Sequence, residues 1–169
     1  ETCCGMILVP TKDIHLIENE IRPLLIKACD DSMSHPFVTA EDYLDSLKEG
    51  RVLLFTTIPV EFIVIIRFNI IKNKKGLTIL FCSGVNYRKH WKNALQLCID
   101  FATVTGCCEI RSTVRVGIAK DMFTFGFSEN KYRNKHIEVF KAIGDSTQVF
   151  AQGEDAFSAE PRSNLSETL

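Results

Sequence analysis

Apolar and polar positions recur along this chain with two periods, and each change of period marks an element. Met6-Ile7-Leu8-Val9 is a short apolar run closed by Pro10 and predicts a strand within residues 5–10. Asp13 can cap the next segment, where Ile14, Ile17, Ile21, Leu24 and Leu25 recur at helical spacing. Pro23 has to break or kink that helix, or open a second turn at its own first position. Residues 32–38, with Pro36, read as a loop. Thr39-Ala40-Glu41-Asp42 has the form of a capping box ahead of Tyr43, Leu44 and Leu47, and Gly50 ends this short helix.

Three strands follow in quick succession, at residues 51–58, 61–72 and 76–82. Turns at 57–60 and 73–76 make them an antiparallel meander. The most apolar run, Ile63-Val64-Ile65-Ile66, is β-branched and interrupted at Arg67, so it reads as strand; no stretch of eighteen apolar residues predicts a membrane span. Residues 88–105 form the clearest helix, with Trp91, Ala94, Leu95, Cys98, Phe101, Ala102 and Thr105 in one stripe and Gly106 as the stop. Residues 107–113 alternate as a strand, with Cys108, Ile110 and Ser112 on one face. Residues 116–123 form a shorter helix, and 135–143 alternate again, Ile137 and Val139 opposing His136, Glu138 and Phe140. Phe123, Phe125 and Phe127 read as core fillers near the closing strand, and Trp91 as core at the head of its stripe. The order is β-α-α-β-β-β-α-β-α-β, an α+β protein with a mixed, mainly antiparallel sheet and helices on both faces.

Composition narrows the classes without naming a reaction. The 169 residues, 46% hydrophobic and 24% charged, suit one soluble domain and exclude a disordered chain, a collagen and a disulfide miniprotein. A net charge of −1 argues against a nucleic-acid binder driven by bulk positive charge. Residues 145–169 carry five acidic side chains against Arg162 alone, a net −4 that leaves +3 for residues 1–144. We therefore expect a folded domain over 1–144 and a flexible acidic tail over 145–169. Glu1 is no initiator; Met6 is the first candidate, with the residues before it an upstream remnant, or the chain is cut from something longer.

The seven cysteines are Cys3, Cys4, Cys29, Cys82, Cys98, Cys107 and Cys108. Their odd number, and the buried face expected for Cys98, favour free thiols in a reducing cytosol. The adjacent pairs Cys3-Cys4 and Cys107-Cys108 do not have the two-to-four-residue spacing that structural zinc prefers, so no metal is expected. Nothing local marks a cysteine nucleophile beside His15, His35, His90 or His136. Lys72, Lys74, Lys75, Arg88, Lys89 and Lys92 are the residues a nucleic-acid reading would use, but Lys-rich turns are ordinarily solvated.

The order of elements over residues 6–143 is similar to the Gcn5-related N-acetyltransferase (GNAT) fold. Residues 38–50 followed by Arg51-Val52-Leu53-Leu54-Phe55, and residues 91–106 followed by Cys107-Cys108-Glu109-Ile110-Arg111, look like the small acetyltransferase-like proteins of tailed bacteriophages. The resemblance implies acetyl-CoA as cofactor, bound where the fourth strand gives way to the long helix, through a Gln/Arg-x-x-Gly-x-Gly/Ala loop. The corresponding stretch is Cys82-Ser83-Gly84-Val85-Asn86-Tyr87-Arg88-Lys89-His90, with one glycine. It makes Cys82, Ser83, Gly84, Tyr87, Arg88 and Lys89 the candidate cofactor residues, and Tyr87 and Trp91 candidates to stack on the adenine. The second motif, Asn-x-x-Ala-x-x-x-Tyr-x-x-x-Gly-Phe, ends on Gly126-Phe127 and places Arg115, Ile118 and Met122 at its Asn, Ala and Tyr. A methionine has no proton to give the leaving thiolate. The family's general base is often a glutamate of the meander strands, and Glu61 and Glu109 are the available carboxylates. Glu109 equally suits a solvent-facing partner of Arg111.

Two functions follow from the resemblance. One is an acyl-CoA-dependent N-acyltransferase acting on an amine of a small molecule or protein. The other is a catalytically silent phage protein of the same fold, an interaction or virion-associated component that binds phage structural proteins in the infected cell or the virion.

Overall fold

The computed structural model describes residues 5–31, 38–133 and 135–144. The acidic tail, nearly all of the 32–38 loop, and Cys3 and Cys4 lie outside them. Among the described residues there are seven strands: β1 (Met6–Val9), β2 (Leu53–Thr57), β3 (Phe62–Ile71), β4 (Lys74–Gly84), β5 (Glu109–Arg115), β6 (Ser128–Arg133) and β7 (His136–Ala142). The helices are α1 (Glu18–Asp31), α2 (Ala40–Lys48), α3 (Tyr87–Val104) and α4 (Val116–Phe123), and a 3-10 turn at Thr11–Leu16 precedes α1. No helix among them is long and apolar enough to cross a membrane.

The strands form one sheet in the order β1-β2-β3-β4-β5-β7-β6. The pairs β1–β2, β2–β3, β5–β7 and β6–β7 are antiparallel, while β4 and β5 run parallel. A parallel pair needs a long crossover, and α3 is that crossover. This is the mixed, mainly antiparallel α+β architecture expected from the pattern, with one strand added.

The added strand is β6. Its sequence, Ser-Glu-Asn-Lys-Tyr-Arg, has no apolar alternation; it is an edge strand with one neighbour, and residues 128–131 are exposed. Two other expectations are corrected. The β3–β4 turn is Lys72-Asn73, not residues 73–76; both have positive φ (50° and 65°), so the two-residue hairpin is made without glycine. Of the outcomes open to Pro23, a break in the helix is excluded. The break falls earlier, between the 3-10 turn and α1, and α1 runs through Pro23. The proline removes only the bond that Asn19 would accept, and both residues face solvent, where water can satisfy that carbonyl.

The chain divides into two compact units, one built from residues through Arg67 with Leu80–Leu97, the other from Phe68–Ile79 with the residues from Cys98 on. In the first, Ile63 and Ile65 of β3, Leu54 of β2, Ile21 and Leu25 of α1, and Tyr43, Leu44 and Leu47 of α2 share one core. The α2 capping box is formed: Thr39 Oγ1 accepts from the Asp42 amide at 3.2 Å, and the Thr39 amide donates to the Asp42 carboxylate at 2.8 Å.

In the second unit, Leu77, Ala102, Cys107, Ile110, Ala119 and Val139 are fully buried. Lys75 donates to the Thr105 carbonyl at 3.2 Å beyond the end of α3 and lies 4.1 Å above the Phe68 ring, so this lysine of the candidate basic patch is already engaged. The phenylalanines divide: Phe127 is core, Phe125 is half-buried, and Phe123 is 38% exposed. Trp91, expected in the core, is also only half-buried.

Candidate functional site

The first unit holds the junction of β4 and α3, and its geometry starts at Thr57. This fully buried residue ends β2, and its Oγ1 accepts from the amides of Glu61 and Phe62 at 2.9 and 3.1 Å while donating to the Pro59 carbonyl at 2.8 Å. One hydroxyl thereby closes the turn and fixes the backbone of Glu61. The Glu61 carbonyl in turn accepts the Val85 amide at 2.9 Å, just beyond β4.

Gly84 lies flat on this backbone. A Cβ there would stand 2.2 Å from the Glu61 carbonyl oxygen and 2.6 Å from the Phe62 Cα, and its φ is +151°. The glycine is therefore explained by backbone packing. Ser83 is buried and donates through Oγ to the Leu24 carbonyl of α1 at 2.7 Å, and Lys27, one turn further along α1, reaches the Gly84 carbonyl at 3.5 Å. Asn86 takes the left-handed conformation, φ 56°, and its carbonyl accepts the Lys89 amide at 2.9 Å as α3 begins.

The first turn of α3 sorts its side chains by direction. Arg88 and Lys89 are exposed, Tyr87 and Trp91 are half-buried with rings nearly parallel at 9° and centroids 6.3 Å apart, and His90 is 1% exposed. The His90 ring lies 5.5 Å from the Phe62 ring, and its Nε2 is 3.3 Å from Glu61 Oε2. The Glu61 side chain is 34% exposed, so the carboxylate has one oxygen on a buried imidazole and a face towards water.

The candidate cofactor residues thus sit on one continuous junction, in different roles. Arg88 and Lys89 present charge at a helix N-terminus, where the helix dipole favours anions. Ser83 and Gly84 are committed to protein contacts. Cys82 is exposed at its surface, while desolvation by the atoms packed around its sulfur pushes the thiol up to about 12.

The two candidate bases differ. Glu61 is joined to the junction. Glu109 Oε2 is bound to Arg111 Nε at 2.8 Å, and Arg111 also meets Glu138 at 3.3 Å. The pairing with Arg111 was expected, but the Glu109 side chain is 15% exposed and not solvent-facing. Met122 is buried, and its carbonyl accepts from the Phe125 amide at 2.9 Å.

Three participants were missed in the sequence: Thr57, Lys27 and His90. His90 carried a signal, since it stands four residues before Ala94 and prolongs the apolar stripe of α3.

No protein-family model matches the chain, and no curated protein does. Solved structures do. A mosquito arylalkylamine N-acetyltransferase like 5b is similar over 82% of this chain and 100% of its own, with a TM-score of 0.60 at 11% identity. The NatC complex bound to Gag peptide and CoA is similar over 82% and 98%, TM-score 0.58 at 16% identity. A GNAT-family acetyltransferase from Listeria monocytogenes is similar over 81% and 94%, TM-score 0.58 at 13% identity. The chain therefore has the fold of the GNAT acetyltransferases.

Proposed function

We propose that the protein is an acyl-CoA-dependent N-acyltransferase, and that residues 82–89 hold the pyrophosphate of acetyl-CoA. The observation that carries the reading is the β4–α3 junction in this fold: two exposed cations on the first turn of a long helix, after a glycine pressed against the neighbouring backbone. Arg88 and Lys89 would hold phosphate oxygens at the start of α3, since a helix N-terminus favours anions. Not every part of the loop is free for a ligand, because the Val85 and Lys89 amides already bond to Glu61 and Asn86. When bound, acetyl-CoA supplies an acyl carbonyl activated as a thioester.

The same placement bears on Glu61. A pantetheine arm as long as several extended residues separates the pyrophosphate from the thioester. Glu61 supports the phosphate end, which argues against its being the base for the amine. The buried Met122 offers no acid, so orientation of amine and thioester has to provide much of the rate. The acceptor is an amine of a small molecule or a protein.

Calorimetric titration with acetyl-CoA and CoA at low and moderate salt tests the reading. We expect saturable binding that weakens as salt rises, and about tenfold weaker binding in the Arg88→Ala/Lys89→Ala double variant, as expected for two exposed charge contacts. Its stability should be nearly unchanged. No heat and no thermal shift at millimolar ligand would refute the cofactor site. That result would favour the other reading, a silent phage protein of this fold acting by surface contacts in the infected cell or the virion.

A further inference from the structure

We propose that Glu61 and His90 are positioning residues that hold the β4–α3 junction in its anion-binding shape, an inference that rests on the pyrophosphate reading above. Glu61 grips the junction twice. Its carbonyl holds the Val85 amide at 2.9 Å, where the loop starts, and its carboxylate meets His90 Nε2 at 3.3 Å, one turn into α3. The intervening residues, Asn86 to Lys89, include the two exposed cations. They are therefore bracketed by one residue on the neighbouring strand.

That residue is itself held. Thr57 Oγ1 fixes the amides of Glu61 and Phe62, and Gly84 rests on the same two residues with no room for a methyl group. On the other side, the His90 ring is 1% exposed and lies against Phe62, so its orientation is set by packing. A buried imidazole and a tethered carboxylate make a rigid pair. Its effect on a ligand is to spare the cost of ordering the loop at the moment of binding.

Charge alone predicts the opposite sign. Glu61 is an anion beside a site for anions, so Coulomb's law says that neutralising it should tighten CoA binding. Positioning says that Glu61→Ala weakens binding, because the loop loses its hold on α3 while the backbone carbonyl stays. The expected loss is about tenfold in Kd, the worth of one hydrogen bond to a charged group. Glu61→Gln keeps an oxygen acceptor for His90 and should bind CoA at least as well as the wild type.

The experiment is a double-mutant cycle read by calorimetry with CoA. It uses Glu61→Ala, His90→Phe (which fills the ring's space without a donor) and the two together. We expect each single variant to lose about tenfold and the pair to lose no more than either, as members of one unit do. Unchanged or tighter binding by Glu61→Ala would overturn the proposal, as would losses that simply multiply. Amide exchange of residues 85–89 without ligand separates this proposal from the cofactor reading. If the wild type fails to bind CoA, faster exchange in Glu61→Ala than in wild type would retain the positioning role and remove the cofactor. Equal exchange in both proteins would remove the positioning role.

Discussion

Replacing Gly84 by alanine puts a methyl group where two backbones meet. Its Cβ would stand 2.2 Å from the Glu61 carbonyl oxygen and 2.6 Å from the Phe62 Cα. Relief needs a separation of roughly 3.5 Å, so one backbone must retreat by roughly 1 Å. Neither retreats cheaply. Thr57 pins the Glu61 and Phe62 amides, and Ser83, the residue before Gly84, is tied to Leu24. Overpacking of this kind costs about 1–3 kcal/mol. The φ of +151° adds strain on the order of 1 kcal/mol or more for a residue with a side chain. We expect a loss of about 3 kcal/mol, or roughly 6–12 °C in Tm for a chain of this size. Urea denaturation, followed by fluorescence of the one tryptophan, Trp91, gives the value directly. Gly117→Ala is the control: it lies exposed within α4 with nothing within 4 Å, and it should stabilise by about 0.5 kcal/mol through helix propensity. A Gly84→Ala loss below about 1 kcal/mol would refute the argument that this glycine is required by packing.

The α2 cap and the β5 ion pairs offer further tests. Thr39→Ala should cost about 1 kcal/mol by removing the side-chain half of the capping box, read from the urea midpoint. Thr39 N–H donation, then its hydroxyl, holds the Asp42 carboxyl below the usual value of 3.8. A lowered folded value means stability present above pH 3.8 and lost as pH falls through the folded value. The urea-midpoint gap between wild type and Asp42→Ala should therefore be full at about pH 5 and narrow towards about pH 2. Arg111→Met should cost about 1 kcal/mol at neutral pH, since it leaves Glu109 and Glu138 without their shared guanidinium. No change in the midpoint would mean that solvent already screens both carboxylates.

Most of the architecture was legible because its elements carry local signals, among them a strand apolar on both faces. The Ile63–Ile66 run, the stripe of α3 and the capping box at Thr39 each announce their element through contacts made within the element or its core. The rest depended on partners distant in sequence. β6 is polar, and only its pairing with β7 makes it a strand. The Lys72-Asn73 turn carries positive φ without the glycine that would flag it. At the site, Arg88 and Lys89 were readable as charge in the first turn of a helix. The role of Glu61 was not, since it comes from a carbonyl, a hydroxyl on Thr57 and a buried imidazole twenty-nine residues away. His90 stood among basic residues that face solvent, and only its place on the helix wheel set it apart.

The two ends of the sheet are unequally defended against growth. At one end, β6 presents Glu129 and Lys131, charges that an incoming strand would have to strip of water. At the other, β1 is a run of four apolar residues in which Ile7 and Leu8 are 45% and 40% exposed. β1 is therefore the edge on which strand addition is expected to start in the concentrated protein, and Ile7→Lys is the change expected to oppose it.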